Sequence, residues 1–232
     1  MEGPVLGASD ILRRARDLPR RAIHRVDRAL YPEATSPGDQ WQRVVLNRAV
    51  DAHIASLGPT TLSAAEISGD SHAGKPWTEY ASLNYPDFDL CAPITIERRF
   101  DVVICEQVLE HVVDPWGAAA NLRKLTTPGG HVIVSTPFLI KVHELPQFDL
   151  RDYWRFTPRG LRTLLQSAGL EVDKVDTWGS RRGVIGNLRR WSAPRPWHPL
   201  RNDPDLAVQV WAFARNPAPV DNRYIARADG GR

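Results

Sequence analysis

Two apolar segments joined by a helix and a glycine turn restrict the possible fold of this chain more than any other feature. FDVVIC at 100–105 and HVIVST at 131–136 are continuous apolar runs, which is typical of strands buried on both faces of a parallel sheet. The spacing predicts a helix over 106–125, interrupted by Pro115, and a Pro-Gly-Gly turn at 128–130 ends it. This order of strand, helix, turn and strand predicts a right-handed crossover unit.

The flanking segments extend this unit into an α/β domain. The further predicted elements are helices at 40–56 and 157–168 and strands at 62–67, 80–84, 88–91, 170–178 and 206–214. The helix at 157–168 has the clearest ends, because Thr157 can cap it, Pro158 suits its first turn and Gly169 follows its last residue. Alternating strands and helices predict a doubly wound, mostly parallel sheet.

Composition limits the class and the compartment. The chain has 232 residues, 42% hydrophobic and 25% charged, which suits one α/β domain with extra helical segments. Because no apolar run is long enough to span a bilayer and the N-terminus lacks a secretory pattern, we expect a cytoplasmic protein. Cys91 and Cys105 lie in apolar segments and are expected to be reduced. The histidines show no ligand spacing, so no metal site is predicted.

Two segments are rich in arginine. Residues 11–30 have helical apolar spacing with arginines on the other face, and Pro19 should interrupt this helix. The helix can pack on the domain, act as a lid, or bind a membrane surface or a partner. Residues 181–201 contain six arginines and no acidic residue. That segment fits either a solvated loop or a surface that binds phosphate or nucleic acid.

The rule for open parallel sheets indicates where a ligand would bind. Ligands bind beyond the carboxyl ends of the strands, near the point where the strand order reverses. The rule selects four polar or turn-forming segments at 68–74, 84–86, 106–111 and 137–143. We therefore expect these four segments to lie close together in space.

The segment FDVVICEQVLEHVVDPWGAAANLRKLTTPGGHVIVSTPF at 100–138 resembles the central part of the class I S-adenosylmethionine-dependent methyltransferases. In that family, strand four is followed by Leu-Glu-His, and a Pro-Gly-Gly turn precedes strand five. The later run DYWRFT at 152–157 is similar to the methyltransferase type 11-like branch. The resemblance covers residues 61–178. It implies a seven-stranded Rossmann-like sheet with an antiparallel last strand, N-terminal helices, and S-adenosyl-L-methionine as cofactor.

The resemblance also implies a cofactor site, although the first glycine motif is degenerate. The residues that it assigns to the cofactor are Glu66, Ser68, Gly69, Asp70, Asn84, Glu106, Gln107 and His111. Glu66 matches the family's acidic position and Gly69 allows close backbone approach, but the usual second glycine is absent. Asn84 stands where a ribose-binding acid is expected, and its amide lacks a carboxylate's charge. His111 is expected to orient the loop that carries Glu106 and Gln107.

Residues beyond strand five are the candidates for handling the acceptor. If the acceptor is a hydroxyl, a base must lie within hydrogen-bond reach of it, and we predict His143 and Glu144 as the acid/base pair. Tyr153, Trp154 and Arg155 are predicted to form the acceptor wall. Two structural alternatives stay open: a structural hydrogen bond for His143 and packing beneath the next helix for Trp154.

Together these features predict a methyltransferase for a small-molecule acceptor, namely a hydroxyl or amine of a sugar or secondary metabolite. A non-catalytic, methyltransferase-like partner protein is the main alternative, and a nucleic-acid methyltransferase ranks last. A nicotinamide-dependent enzyme is disfavoured because no G-x-G-x-x-G follows the first strand. The expected organisation is a helical segment at 1–56, the α/β domain at 57–217 and a flexible tail at 218–232. A homodimer is left open.

Overall fold

The computed structural model of the protein describes residues 40–144, 150–189 and 201–218. The helices are α1 (Trp41–Leu57), α2 (Pro115–Leu125), α3 (Pro158–Ser167) and α4 (Arg181–Arg189). The strands are β1 (Ser63–Ile67), β2 (Glu79–Leu83), β3 (Phe100–Glu106), β4 (Thr126–Pro137), β5 (Glu171–Gly179) and β6 (Ala207–Arg215). Three predicted features lie wholly or partly outside the described residues. They are the helix at 11–30, most of the tail, and residues 190–200 of the second arginine-rich segment.

The described strands form one six-stranded sheet in the order β2-β1-β3-β4-β6-β5. The first four strands of that order are parallel, whereas β6 runs antiparallel to both of its neighbours. The predicted doubly wound α/β class with an antiparallel last strand is therefore confirmed. None of the helices in the described ranges is both long and apolar enough to cross a bilayer.

Three details of the sequence prediction differ from the structure. The sheet has six described strands instead of seven, and the predicted strand at 88–91 is a turn segment. There the Phe88 N–H donates to the Asn84 carbonyl and the Cys91 N–H donates to the Asp89 carboxylate, so these backbone groups are satisfied locally. The predicted helix at 106–125 begins only at Pro115, after an eight-residue loop at 107–114.

Side-chain alternation along β3 explains why its sequence is apolar throughout. Val102 and Ile104 pack in one cluster with α1, while Val103 and Cys105 pack in a second cluster with α2 and α3. All four side chains are fully buried. Burying one such aliphatic side chain contributes about 1.5–3 kcal/mol, so both layers of helices are held to the same strands.

The Pro-Gly-Gly turn at the start of β4 needs each glycine for a different reason. Gly129 has a φ of 83°, a backbone conformation that L side chains rarely adopt. A Cβ on Gly130 would lie 2.8 Å from the Asp101 carbonyl oxygen, which is closer than van der Waals contact allows. The Gly129 N–H and the Gly130 carbonyl also exchange hydrogen bonds with the backbone of Asn216, at 2.7 and 2.9 Å.

We expect Gly130→Ala to lower the free energy of unfolding by about 3 kcal/mol or more, because its Cβ would press on the backbone of β3. Gly129→Ala is the matched control and should cost only about 1 kcal/mol, because no atom lies within 4 Å of its Cβ position. Urea unfolding of both variants measures the difference. Equal stabilities would show that space at Gly130 is not limiting.

Candidate active site

A cavity of about 400 Å³ opens where β1 and β3 end, within the size range of small-molecule sites. Three of the four predicted segments contribute to it, through Ser68, Tyr85 and the start of the 107–114 loop. The fourth segment, 137–143, supplies none of the lining residues among those described. The lining residues are Ser68, Tyr85, Phe88, Asp89, Leu90, Cys91, Gln107, Val108, His111, Val112, Val113, Leu150 and Tyr153.

Two lining residues have strained backbones. Ser68 and Gln107 each follow a strand directly, with φ values of 53° and 57°. The left-handed conformation costs a non-glycine residue about 1–2 kcal/mol, so neighbouring groups must hold it. The Gln107 N–H donates to the Ser135 carbonyl at 2.9 Å, and its side-chain amide donates to the Ser135 hydroxyl at 3.0 Å. Strain maintained at the exits of two adjacent strands is typical of a functional site.

Glu66 lies beneath the turn after β1 and is buried. Its carboxylate accepts hydrogen bonds from the backbone N–H groups of Ser71 and His72, at 3.1 and 2.9 Å, and from the Tyr80 hydroxyl at 2.6 Å. A Cβ on Gly69 would lie 2.6 Å from the same carboxylate, which explains the glycine. The Glu66 oxygens therefore hold the turn, and Glu66 is not among the residues that line the cavity. Its assignment to the cofactor stays a prediction.

The remaining predicted cofactor residues fall into two groups. Ser68, Gln107 and His111 line the cavity. Asp70 and Asn84 are exposed, and the Asn84 amide donates to the Ser82 hydroxyl at 2.9 Å. The Glu106 side chain is only 7% exposed at the end of β3, where one carboxylate oxygen lies 3.5 Å from Nε2 of His72. The structure therefore places the predicted cofactor residues at one edge of the sheet, although they do not all face the cavity.

The sequence prediction missed most of one wall, which the loop after β2 supplies. This wall consists of Tyr85, Phe88, Asp89, Leu90 and Cys91. Tyr85 belongs to the predicted segment 84–86, but the sequence pattern of residues 88–91 predicts a strand, which hid their place in the wall. Cys91 and Cys105 are free thiols. Burial raises the pKa of the Cys91 thiol, which keeps it protonated through the neutral range.

Beside the cavity lies a charged cluster built on Asp152, whose side chain is completely buried. Asp152 forms a two-contact ion pair with the Arg155 guanidinium and accepts the His143 backbone N–H at 2.8 Å. Nδ1 of His143 lies 3.0 Å from the same carboxylate. Burial by itself would raise the pKa of Asp152, but the bonds from Arg155 and His143 outweigh it and lower this pKa. Burial lowers the pKa of His143, and the nearby Asp152 partly offsets that shift.

Glu110 is a second fully buried carboxyl near the site. Its side chain is 0% exposed, and neither carboxyl oxygen has a hydrogen-bond partner among the described residues. Burial raises the pKa of Glu110 to about 8. The Glu110 carbonyl accepts the Tyr153 N–H at 2.7 Å, and Nδ1 of His111 bonds to the Arg151 carbonyl. These contacts join the 107–114 loop to the segment after residue 150.

The predicted acceptor residues occupy different environments. Tyr153 lines the cavity and is 50% exposed. Trp154 packs against the 107–114 loop and α2. Its indole N–H donates to the Val112 carbonyl at 2.8 Å, and its ring packs edge-to-face on Trp116. Arg155 is committed to Asp152, and Glu144 is exposed beside His143. Among the described groups, Asp152 is thus the carboxylate that contacts His143.

Known proteins resemble this chain in sequence. A family model described as a methyltransferase domain matches residues 10–175. A ubiquinone biosynthesis O-methyltransferase of Cereibacter sphaeroides is 36% identical over 155 residues, which cover 60% of this chain and 60% of that protein. One of Dinoroseobacter shibae is 27% identical over 185 residues, covering 71% and 68%. The chain thus spans about 60% of the length of the former relative.

A solved structure resembles it in fold. It is the 1,6-didemethyltoxoflavin-N1-methyltransferase of Burkholderia thailandensis with bound 1,6-didemethyltoxoflavin and S-adenosylhomocysteine. The TM-score is 0.51 at 14% sequence identity, and the match covers 94% of this chain and 93% of that chain. At this identity the likeness supports the fold alone.

We expect Glu66→Ala to release the turn after β1, because three hydrogen-bond donors would lose their acceptor. The free energy of unfolding should fall by about 3 kcal/mol. In hydrogen exchange, the amides of Ser71 and His72 should lose protection. Asp70→Asn, at an exposed position of the same turn, should leave that protection unchanged. Retained protection in the Glu66 variant would contradict the role given to this carboxylate.

Proposed function

The chain belongs to the class I S-adenosylmethionine-dependent methyltransferases, and from this premise we propose that it methylates a hydroxyl or amine of a small molecule bound at the strand-end cavity. One observation supports this proposal most strongly: a chain that matches a methyltransferase family has a cavity at the ends of β1 and β3. The cavity lies where ligands bind in open parallel sheets. Its two strained lining residues, Ser68 and Gln107, support a functional role.

The composition of the cavity suits the parts of S-adenosylmethionine. The wall after β2 offers aromatic and aliphatic surfaces of Tyr85, Phe88 and Leu90 for a planar base. Asp89 and Gln107 add polar groups for hydroxyls. A sulfonium cation is stabilised near carboxylates and aromatic faces, and Glu106 ends the adjacent strand β3. We assign the cofactor to the side of the cavity formed by β1, β2 and β3.

Methyl transfer from a sulfonium requires mainly positioning. The acceptor oxygen or nitrogen attacks the methyl carbon in line, the carbon–sulfur bond breaks, and sulfur keeps the electron pair. A hydroxyl acceptor must also lose its proton to a group within reach. We propose that His143, oriented by Asp152, serves this step. Its lowered pKa keeps it neutral near pH 7 and therefore able to accept a proton.

The acceptor side is assigned to the segment after residue 150 together with the 107–114 loop. Tyr153 and Val113 line the cavity and are 50% and 69% exposed, which gives this rim an apolar and aromatic surface. Such a rim favours an acceptor with an aromatic or apolar body. The Cereibacter sphaeroides relative is an O-methyltransferase, which favours oxygen over nitrogen as the methylated atom. Glu144 stays a predicted partner of His143 in acid/base catalysis.

A second candidate function is that of a non-catalytic partner protein. It is favoured by the turn after β1, where Gly69 stands without a second glycine and Glu66 is committed to backbone N–H groups. The two functions differ in whether S-adenosylmethionine binds.

We expect S-adenosylmethionine or S-adenosylhomocysteine to bind in calorimetry and to protect Cys91 from alkylation by iodoacetamide, because Cys91 lines the cavity. Without ligand, labelling should be slow at neutral pH and accelerate as pH rises, because burial raises the pKa of this thiol. Cys105 is fully buried, so Cys91→Ser should abolish labelling. Binding without protection of Cys91 would show that the cofactor binds elsewhere. No binding at millimolar ligand would favour the non-catalytic function.

We expect His143→Ala to lower kcat about 10²- to 10⁴-fold while the Kd of S-adenosylhomocysteine stays unchanged, because His143 is placed on the acceptor side. Steady-state kinetics and calorimetry measure the two quantities once an acceptor is found by screening phenolic and aliphatic alcohols. His53→Gln, which replaces a histidine stacked on Phe213 outside the cavity lining, is the matched control. Normal turnover of the His143 variant would show that this histidine has only a structural role.

A further inference from the structure

We propose that Glu110, His111 and His143 form a binding site for one divalent transition-metal ion at the margin of the cavity. Each residue offers one ligand atom, and these atoms lie within 4.8 Å of one another. The inference deepens the proposed function, because a metal at this place would hold the acceptor oxygen. The sequence spacing did not reveal the site, since Glu110 and His111 are adjacent while His143 comes from the other side of β4.

The distances are close to those of a formed site. Nε2 of His111 lies 3.8 Å from Oε1 of Glu110, and the His111 and His143 rings meet edge-to-face with centroids 4.9 Å apart. Ligands bound to zinc at about 2.0–2.2 Å lie roughly 3–3.5 Å from one another in a tetrahedral site. An ion would therefore require the side chains to approach by less than about 2 Å, within the reach of side-chain rotation.

Both histidines have the outer partners that metal-ligating histidines commonly use. A ligating imidazole usually directs its other ring nitrogen to a carbonyl or a carboxylate, which fixes the ring. Nδ1 of His111 bonds to the Arg151 carbonyl, which leaves Nε2 facing Glu110. Nδ1 of His143 lies 3.0 Å from the buried Asp152 carboxylate. The two rings are thus held by groups outside the proposed ligand set.

Glu110 supplies the independent evidence for a ligand. Its side chain is fully buried, and neither of its carboxyl oxygens has a hydrogen-bond partner in the described ranges. Buried polar groups are nearly always partnered, and an exception requires an explanation. Asp152 does not supply that partner and is itself paired with Arg155. A cation between Glu110 and the two imidazoles would satisfy this carboxylate.

The donor set and its exposure indicate which metal fits and what it would do. Two imidazoles and one carboxylate favour zinc, cobalt, manganese or iron over calcium and magnesium, which prefer oxygen ligands. The side chain of His111 is 12% exposed and lines the cavity, and that of His143 is 24% exposed. Three protein ligands leave positions open for water or for an acceptor oxygen, as in catalytic metal sites.

Such a metal would change how His143 acts in the proposed reaction. Glu110, His111 and His143 would hold the ion, and the ion would lower the pKa of an acceptor hydroxyl so that its proton passes to solvent. The acceptor oxygen would then take the methyl group, and the sulfur of S-adenosylmethionine would keep the electron pair of the broken bond. His143 would promote deprotonation as a metal ligand instead of accepting the proton itself. Its loss would lower turnover in both cases, so turnover alone does not distinguish them.

The test uses the full chain, stripped with a chelator, and the metal alone as the probe. Zn²⁺ and Co²⁺ are titrated by calorimetry, and the visible absorption of bound Co²⁺ reports its coordination. We expect one equivalent of either ion to bind, and magnesium and calcium to bind at least 100-fold more weakly. Glu110→Gln, His111→Gln and His143→Gln should each abolish this binding. Asp152→Asn should weaken it about 10- to 100-fold, because it removes an outer partner of His143.

His53→Gln is the matched control, because it removes a histidine that packs on Phe213 away from this cluster and should leave the metal affinity unchanged. Circular dichroism confirms that each variant is folded. The inference is overturned if the folded wild-type chain binds neither ion at 1:1 stoichiometry, or if the three ligand variants retain wild-type affinity. Calorimetry with S-adenosylhomocysteine in chelator tests the proposed function separately, because the assigned cofactor side does not include Glu110 or His143.

Discussion

The fold depends on the parallel pairing of β3 with β1 on one side and β4 on the other. Val103 lies opposite Ala65 and Val132 in this register, and all three residues are fully buried. Because the strands are parallel, their carboxyl ends meet at one edge of the sheet, and the loops that follow them lie together. The cavity is a consequence of this pairing. Helices cover both faces of the sheet, so the strand ends are where polar groups can contact a ligand.

The proposed acceptor side depends on the 107–114 loop. The Glu110 carbonyl binds the N–H of Tyr153, and the Trp154 indole binds the Val112 carbonyl, so the 107–114 loop and the segment after residue 150 form one unit. This arrangement buries the Glu110 carboxyl without a hydrogen-bond partner among the described groups, which opposes folding. A carboxyl kept in such a place beside two histidines is better explained by ligand binding than by stability.

The turn after β1 shows how a shortened motif can keep its shape. The connection from β1 to β2 in residues 68–78 contains turns instead of a helix. Its conformation is held by the Glu66 carboxylate, which accepts two backbone N–H groups and the Tyr80 hydroxyl. One buried side chain thereby satisfies backbone groups of the turn and links the turn to β2. In the proposed function, the cofactor contacts are therefore assigned to Ser68, Gln107 and the wall after β2.

The sequence by itself determined the fold class, because the apolar runs of β3 and β4 and the Pro-Gly-Gly turn encode local geometry and burial. It also located the edge that carries the site, because Ser68, Gln107, His111 and Tyr153 line the cavity. Only the tertiary structure decided which polar groups form hydrogen bonds within the protein, as Glu66 does. It also decided which groups distant in sequence lie close together, as His143, Asp152 and Glu110 do. Such contacts join residues that are distant in sequence, and their partners depend on side-chain packing, which no local pattern encodes.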